Sequence, residues 1–229
     1  IGRADLPSVE ETLAAIAEDK VMVLNAPALI SLEMAYRQEH AFLDSLSDER
    51  LVAALVAHLV RSVEGHDAWV AAAVASRPQC MADALSAYLT AAMQWKTRTP
   101  HATHLFRDQA YAEVTRRCLL PLLAQIPLRA RPNLRSALTD MLHAALTLPA
   151  RDELLPLIKA RVDAPKVDGP QRAYWLGAGL LLDPDHYLLQ ASCYLQRRAP
   201  AVQHLAGFLH YRREVGGDGI PRPSNVLGF

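Results

Sequence analysis

The chain has 229 residues, of which 51% are hydrophobic, and its formal net charge is zero. This apolar content is sufficient for the core of one large or two small domains. A neutral chain lacks an overall basic field, which excludes a protein that attracts nucleic acids or anionic membranes through its net charge. The charge is unevenly distributed, because residues 1–49 contain ten acidic and three basic residues, a net charge of −7.

Cysteine use and hydropathy favour a cytoplasmic protein. Cys80, Cys118 and Cys193 are far apart, and each lies in an apolar helical pattern, which favours buried thiols over a disulfide framework. No apolar stretch approaches the length of about 20 residues that a membrane span needs. The chain begins at Ile1 without an initiator methionine or a signal peptide, and it ends at Phe229 without an obvious helix cap. We therefore expect a piece of a longer protein.

Apolar residues recur at intervals of three and four along nearly the whole chain, and the sequence lacks the period-two alternation of a half-buried strand. The clearest helix is predicted for residues 47–63. Ser47 is a good N-cap, and acidic residues follow it in the first turn. The apolar face of this helix consists of Leu51, Leu55, Leu59 and Val63. Gly65 is predicted to end it.

Further helices follow at short intervals, separated by prolines and polar stretches. They are predicted for residues 67–77, 79–95, 109–125, 132–148, 151–162, 170–182, 185–197 and 200–212. Short connections of this kind are usual between antiparallel helical neighbours. The polar residues Lys96–Asp108 are expected to form a soft joint inside one domain that spans residues 1–229. The predicted fold class is all-α, with antiparallel helix pairs.

Pro121 and Pro156 lie inside apolar helical patterns and occupy matching motifs. The sequence LLPLL begins at Leu119 and LLPLI begins at Leu154, an offset of 35 residues. A helix pair of about that length is the repeating unit of an α-solenoid, in which each unit buries its apolar face by stacking on the next. We therefore predict a short solenoid of stacked helix pairs, in which equivalent prolines kink equivalent helices.

The segment QRAYWLGAGLLLDPDHYLL, residues 171–189, combines features of a binding site with those of a packed helical corner. Gly177 and Gly179 do not form a dinucleotide-binding turn, because the third glycine of that motif and a preceding strand are missing. Glycine inside a helix allows a neighbouring helix to approach closely, so packing is the favoured interpretation. Residues 183–185, Asp-Pro-Asp, are predicted to end one helix and to begin the next.

The sequence offers little for catalysis or cofactor binding. His101 and His104 form the only close histidine pair, but a zinc site needs more ligands and only Asp108 lies nearby, so a polar loop is favoured. The motifs of P-loop nucleotide sites, HExxH metal sites and GxSxG nucleophile elbows are missing. Paired acidic residues lie in helical first turns, where the helix dipole accounts for them. We expect no enzyme activity, no metal and no cofactor.

One stretch of the chain is strongly basic. Residues 114–139 contain no acidic residue and five arginines, namely Arg116, Arg117, Arg129, Arg131 and Arg135. The favoured interpretation is that these arginines lie on solvated helix ends and loops. The alternatives are that they contact a protein partner, or that the chain is a nucleic-acid-binding helical repeat that holds a phosphate backbone on this surface.

The order of the helices, and above all the segment RAYWLGAGLLLDPDHYLLQASCYLQRRAPAVQHLAGFL at residues 172–209, resembles the HEAT-like helical region of large bacterial NACHT or STAND-type NTPases associated with antiphage defence. The resemblance implies a HEAT-like α-solenoid whose role is recognition and conformational control. The P-loop of those NTPases is missing, so no nucleotide-binding residue is carried over. We expect a non-enzymatic module for protein interaction or sensing. Its expected partners are another protein, flanking domains of the same chain, or a second copy.

Overall fold

A computed structural model describes residues 6–18, 25–61, 67–95, 99–148, 150–198 and 201–215. These residues form helices and connecting turns without a strand, which confirms the predicted all-α class. The α-helices are α1 (Val9–Ala17), α2 (Asn25–Gln38), α3 (Asp48–Arg61), α4 (Ala68–Ser76), α5 (Pro78–Ala92), α6 (Ala112–Gln125), α7 (Pro132–Ala145), α8 (Arg151–Asp163), α9 (Gly169–Leu182), α10 (Pro184–Arg197) and α11 (Ala201–Val215). Three 3₁₀-helices span His40–Ser45, Ala102–Arg107 and Gln109–Tyr111.

Local sequence signals set the starts of several helices. Ser47 accepts a hydrogen bond from the backbone N–H of Arg50 at 3.3 Å, and α3 begins at the next residue, as predicted. The predicted apolar face of α3 is buried at Leu51, Leu55 and Leu59, while Val63 and Gly65 lie outside the described residues. Asp183 caps α10 by accepting a hydrogen bond from the N–H of His186 at 3.4 Å.

Consecutive helices in the C-terminal half run antiparallel. Arg151 at the start of α8 donates a hydrogen bond to the carbonyl of Leu182 at the end of α9, at 2.7 Å. Tyr194, late in α10, donates to the carbonyl of Gly169 at the start of α9. Each contact joins the beginning of one helix to the end of the next, so α8, α9 and α10 alternate in direction. The predicted antiparallel pairs are therefore present.

Helices that are separated by one intervening element run parallel and stack, as α5 and α6 do across the 3₁₀-helices at residues 102–111. Gln79 and Arg117, near the starts of α5 and α6, are joined at 3.0 Å, and Thr90 and Gln125, near their ends, are also joined at 3.0 Å. One layer consists of α1, α3, α5, α6 and α8, with each helix contacting the next. The other layer consists of α2, α4, the 3₁₀-helices at 102–111, α7, α9 and α11. The hydrophobic core is continuous along the two layers.

The two prolines inside helices lie in neighbouring members of one layer. α6 continues through Pro121, and α8 continues through Pro156. Arg161, near the end of α8, donates to the carbonyl of Ala124, near the end of α6, so these two helices are parallel neighbours. The 35-residue offset in the sequence therefore relates two helices that stack in space.

The connection predicted to be a soft joint is packed where the structure describes it. Residues 96–98 lie outside the described residues. Thr103 and Phe106 are buried, and Arg107 forms an ion pair with Asp140 of α7. His101 bonds to the carbonyl of Leu59 at the end of α3. Residues 99–108 therefore connect α3, α5 and α7 through specific contacts.

Candidate functional site

The basic run predicted between residues 114 and 139 is partly neutralised by the residue that precedes it. On α6, Glu113 forms ion pairs with Arg116 at 2.6 Å and with Arg117 at 2.7 Å. Arg117 also donates to the side-chain oxygen of Gln79 at 3.0 Å. These helical neighbours at three- and four-residue spacing offset one another's charge. The first two arginines of the run are therefore held in ion pairs on the surface of α6.

The remaining three arginines of the run lie around the start of α7. Arg131 donates to the carbonyl of Trp95 at 2.9 Å, and Arg135 lies 3.8 Å from a carboxylate oxygen of Asp168. Arg129 is exposed and forms no ion pair with any residue that the structure describes. Four of the five arginines are thus held by contacts within the chain, which favours the interpretation of solvated helix ends and loops.

His101 and His104 do not share a ligand-binding geometry. His101 Nε2 lies 2.7 Å from the carbonyl oxygen of Leu59, and its Nδ1 lies 3.0 Å from the hydroxyl of Tyr88. Because a carbonyl can only accept, Nε2 carries the proton and Nδ1 accepts from Tyr88. Burial lowers the pKa of His101 below its usual range. The ring therefore acts as a neutral bridge between α3 and α5, a role that the sequence did not indicate.

A cleft of about 410 Å³ opens between the C-terminal ends of α8 and α10, above the first two turns of α9. Its polar lining consists of Asp163, Arg172, Gln190, Tyr194, Arg197 and Arg198. Val162, Leu176 and Cys193 complete the lining. We call this feature the α8–α10 cleft. Its volume lies in the usual range for small ligand sites, and its lining carries three arginines against one aspartate.

Positive groups converge at the α9 end of the cleft. Arg172 is fixed by a hydrogen bond that it donates to the carbonyl of Ala164, and its Nε is buried without a hydrogen-bond partner among the described residues. A Cβ placed on Gly169 would lie 3.2 Å from Nη1 of Arg198 and 3.4 Å from the hydroxyl oxygen of Tyr194. The guanidinium of Arg198 and the phenol of Tyr194 therefore meet over the first residue of α9.

The electrostatics of the cleft favour an anion. Burial raises the pKa of Tyr194; the positive charges of Arg198 and Arg172 oppose that increase, and the negative charge of Asp168 adds to it. Arg197 and Arg198 are exposed and form no ion pair within the described part of the chain. Several unpaired guanidinium groups around one concavity concentrate positive potential, and guanidinium binds carboxylates and phosphates with bidentate geometry.

The exposure of Cys193, which lines the cleft, contradicts the prediction that all three thiols are buried. Cys80 and Cys118 are buried, as expected, but Cys193 is exposed. The apolar residues around Cys193 in the sequence misled the prediction, because two of them are themselves on the surface: Leu188 is 47% exposed and Leu189 is 73% exposed. Helix α10 therefore has apolar side chains that are exposed to solvent.

Sequence reasoning missed the cleft because its arginines come from separate segments. Arg172 lies in the first turn of α9, whereas Arg197 ends α10 and Arg198 follows it. The only local signal is a stripe on α10, in which Gln190, Cys193, Tyr194 and Arg197 follow one another at intervals of three, one and three residues. Residues at this spacing share one helix face. This stripe lines a cleft only because residues of α8 and α9 form the other walls of that cleft.

Within the described residues, no cluster of three or more histidine, cysteine or acidic side chains is placed to hold a metal ion. No helix in the same part of the chain combines the length and the apolarity needed to cross a membrane. Neither family models, nor curated proteins, nor solved structures yield a match to this chain.

Proposed function

We propose that the chain is a non-enzymatic helical-repeat module that binds a protein partner through the α8–α10 cleft. The observation that carries this proposal is the cleft itself: a concavity with an apolar floor at Leu176, unpaired arginines at its rim, and the exposed Leu189 beside it. Protein-binding surfaces combine apolar contacts with arginine, which is enriched at interfaces. A cleft of this composition suits a segment of another protein.

The repeat character of the module is supported by the stacking of its helices. Alternating helices form two layers, and the motifs around Pro121 and Pro156 lie in parallel neighbours of one layer. Solenoids of HEAT type are built in this way, and they use extended surfaces to bind partners. Free thiols at Cys80, Cys118 and Cys193 are compatible with a reducing cytoplasm. A role inside a larger bacterial defence protein is part of the proposal, and it rests on the resemblance of residues 172–209.

A cross-linking experiment tests the proposed function at the cleft. Cys193 is the exposed thiol of the chain, so a short photoreactive maleimide attaches there in preference to Cys80 and Cys118. Illumination in a bacterial lysate, with and without nuclease, is expected to give discrete protein adducts that survive nuclease treatment. The control places the same reagent on Arg61→Cys in a Cys193→Ser background, because Arg61 is exposed on α3, a helix that does not line the cleft. Adducts that form equally from both positions, or only with nucleic acid, contradict the proposal.

A further inference from the structure

We infer that the α8–α10 cleft binds an acidic protein segment in extended conformation, whose carboxylates contact Arg197 and Arg198 and whose apolar side chain packs on Leu189. This inference rests on the proposed function and specifies the chemistry of the ligand. The observations that carry it are the guanidinium groups of Arg197 and Arg198 in the cleft lining and the exposed Leu189, one helical turn before Cys193 on α10.

The positive charges of the cleft favour a bound anion. Arg172 is already fixed by the carbonyl of Ala164, so its charge is held in place next to Tyr194. Arg197 and Arg198 add two charges without a carboxylate partner among the described residues. Like charges gathered at one concavity repel one another, and a bound carboxylate relieves that repulsion while it gains charge-assisted hydrogen bonds.

The apolar residues favour a protein segment over a nucleic acid. Val162 and Leu176 form the floor of the cleft, and Leu189 lies one helical turn before Cys193 on the same face of α10. A nucleic-acid surface needs a continuous basic track for the phosphate backbone, whereas this cleft also carries Asp163. A segment with both an apolar side chain and carboxylates matches Leu189 beside the cleft and the arginines within it.

The geometry of α10 sets the spacing of the ligand. Leu189 and Arg197 are eight residues apart, which corresponds to about 12 Å along a helix axis. An extended chain covers about 3.3 Å per residue, so roughly four residues separate the apolar side chain from the carboxylates. The preferred ligand therefore has a leucine or phenylalanine about four residues away from two or three glutamates, on either side of them in the sequence.

The test uses a short fluorescein-labelled peptide with that pattern and measures its binding to the full chain by anisotropy. The double variant Arg197→Ser/Arg198→Ser is expected to weaken binding about tenfold or more, because two charge-assisted contacts are lost. The control Arg50→Ser/Arg61→Ser removes the same charge from exposed residues of α3, which does not line the cleft, and is expected to leave binding unchanged. A peptide with glutamine in place of glutamate is expected to bind at least about tenfold more weakly.

A second measurement needs no variant. The peptide is expected to slow alkylation of Cys193 by iodoacetamide about fivefold or more at saturation, because the thiol lines the cleft. Absence of binding, equal binding by the two double variants, or an unprotected Cys193 overturns the inference. Stronger competition by inorganic phosphate or by single-stranded DNA at equal ionic strength also overturns it, in favour of a phosphate ligand. If the peptide fails while Cys193 still cross-links to a protein, the ligand chemistry is wrong and the proposed function stands.

Discussion

A Cβ atom placed on Gly177 in α9 would lie 2.6 Å from Cδ1 of Phe208 in α11. The ring of Phe208 is 1% exposed, so a Cβ on Gly177 would require packed core side chains to shift. Gly179 faces the other neighbour of α9, where a Cβ would lie 2.7 Å from Cγ of Tyr187 in α10. Both glycines therefore allow close helix packing, which confirms the packing interpretation for Gly177 and Gly179, whereas Arg172 and Leu176 of the same segment line the α8–α10 cleft.

Replacing either glycine with leucine is expected to destabilise the fold by overfilling a closed contact. The expected loss in the free energy of unfolding is on the order of 1–3 kcal/mol for Gly177→Leu and for Gly179→Leu. Chemical denaturation followed by circular dichroism measures it. The matched control is Gly207→Ala in α11, where a Cβ would meet nothing within 4 Å. Helix propensity predicts that this control gains up to about 1 kcal/mol. Equal stability of all three variants would contradict the packing role.

Gln171 is expected to contribute to stability by satisfying buried backbone groups. Its side chain is fully buried, accepts from the N–H of Ala130 at 2.9 Å, and donates to the carbonyl of Pro127 at 2.8 Å. Gln171→Ala leaves both groups unpaired and is expected to cost about 1–3 kcal/mol in the free energy of unfolding. In the control, Gln125→Ala removes an exposed acceptor of Thr90 and is expected to change stability by about 0.5 kcal/mol or less. A loss no larger than that of the control would rule out this role.

The stability of the protein is expected to fall in mildly acidic solution because of His101. Burial holds the pKa of His101 below its usual value of 6.5 in the folded state, so the unfolded state binds the proton more readily. The stabilising contribution of neutral His101 is therefore present above about pH 6.5 and is lost as the pH falls below that value through the folded-state pKa.

The direction of this pH dependence is tested by measuring the free energy of unfolding across this pH range in the wild type and in His101→Gln. The variant is expected to be less stable at neutral pH, because the bridge between Leu59 and Tyr88 is weakened, and to have a flatter pH profile. His186→Gln, at an exposed position, serves as the control. If His101→Gln has the same pH profile of stability as the wild type, a group other than His101 causes the pH dependence.

The run from Arg116 to Arg135 is expected to bind nucleic acid weakly and without sequence preference. Glu113 offsets two of its arginines, and Asp168 lies beside a third. Any residual binding should come from counterion release, so it should collapse as salt rises. Anisotropy with single- and double-stranded DNA over a salt series measures this. A submicromolar affinity at physiological salt that depends on sequence, and that Arg129→Ser and Arg131→Ser abolish, would restore the nucleic-acid alternative.

The sequence by itself determined the fold class and much of the helix pattern. The start of α3 after Ser47, the turn at Asp183 and Pro184, and the packing role of Gly177 all follow from local rules. Apolar periodicity, N-cap chemistry and the conformational cost of proline act over a few residues, so they can be read without knowledge of the fold.

Only the tertiary structure decided which charges pair between distant segments and where a concavity forms. Arg135 lies next to Asp168, which is 33 residues away in the sequence. Arg172 and Arg198 come from different segments and line the same cleft. Cys193 was expected to be buried, yet it lines an open cleft, because the exposure of a helix face depends on whether a neighbouring helix covers it. Coulomb interactions and burial depend on distances in space, and local sequence patterns carry no information about those distances.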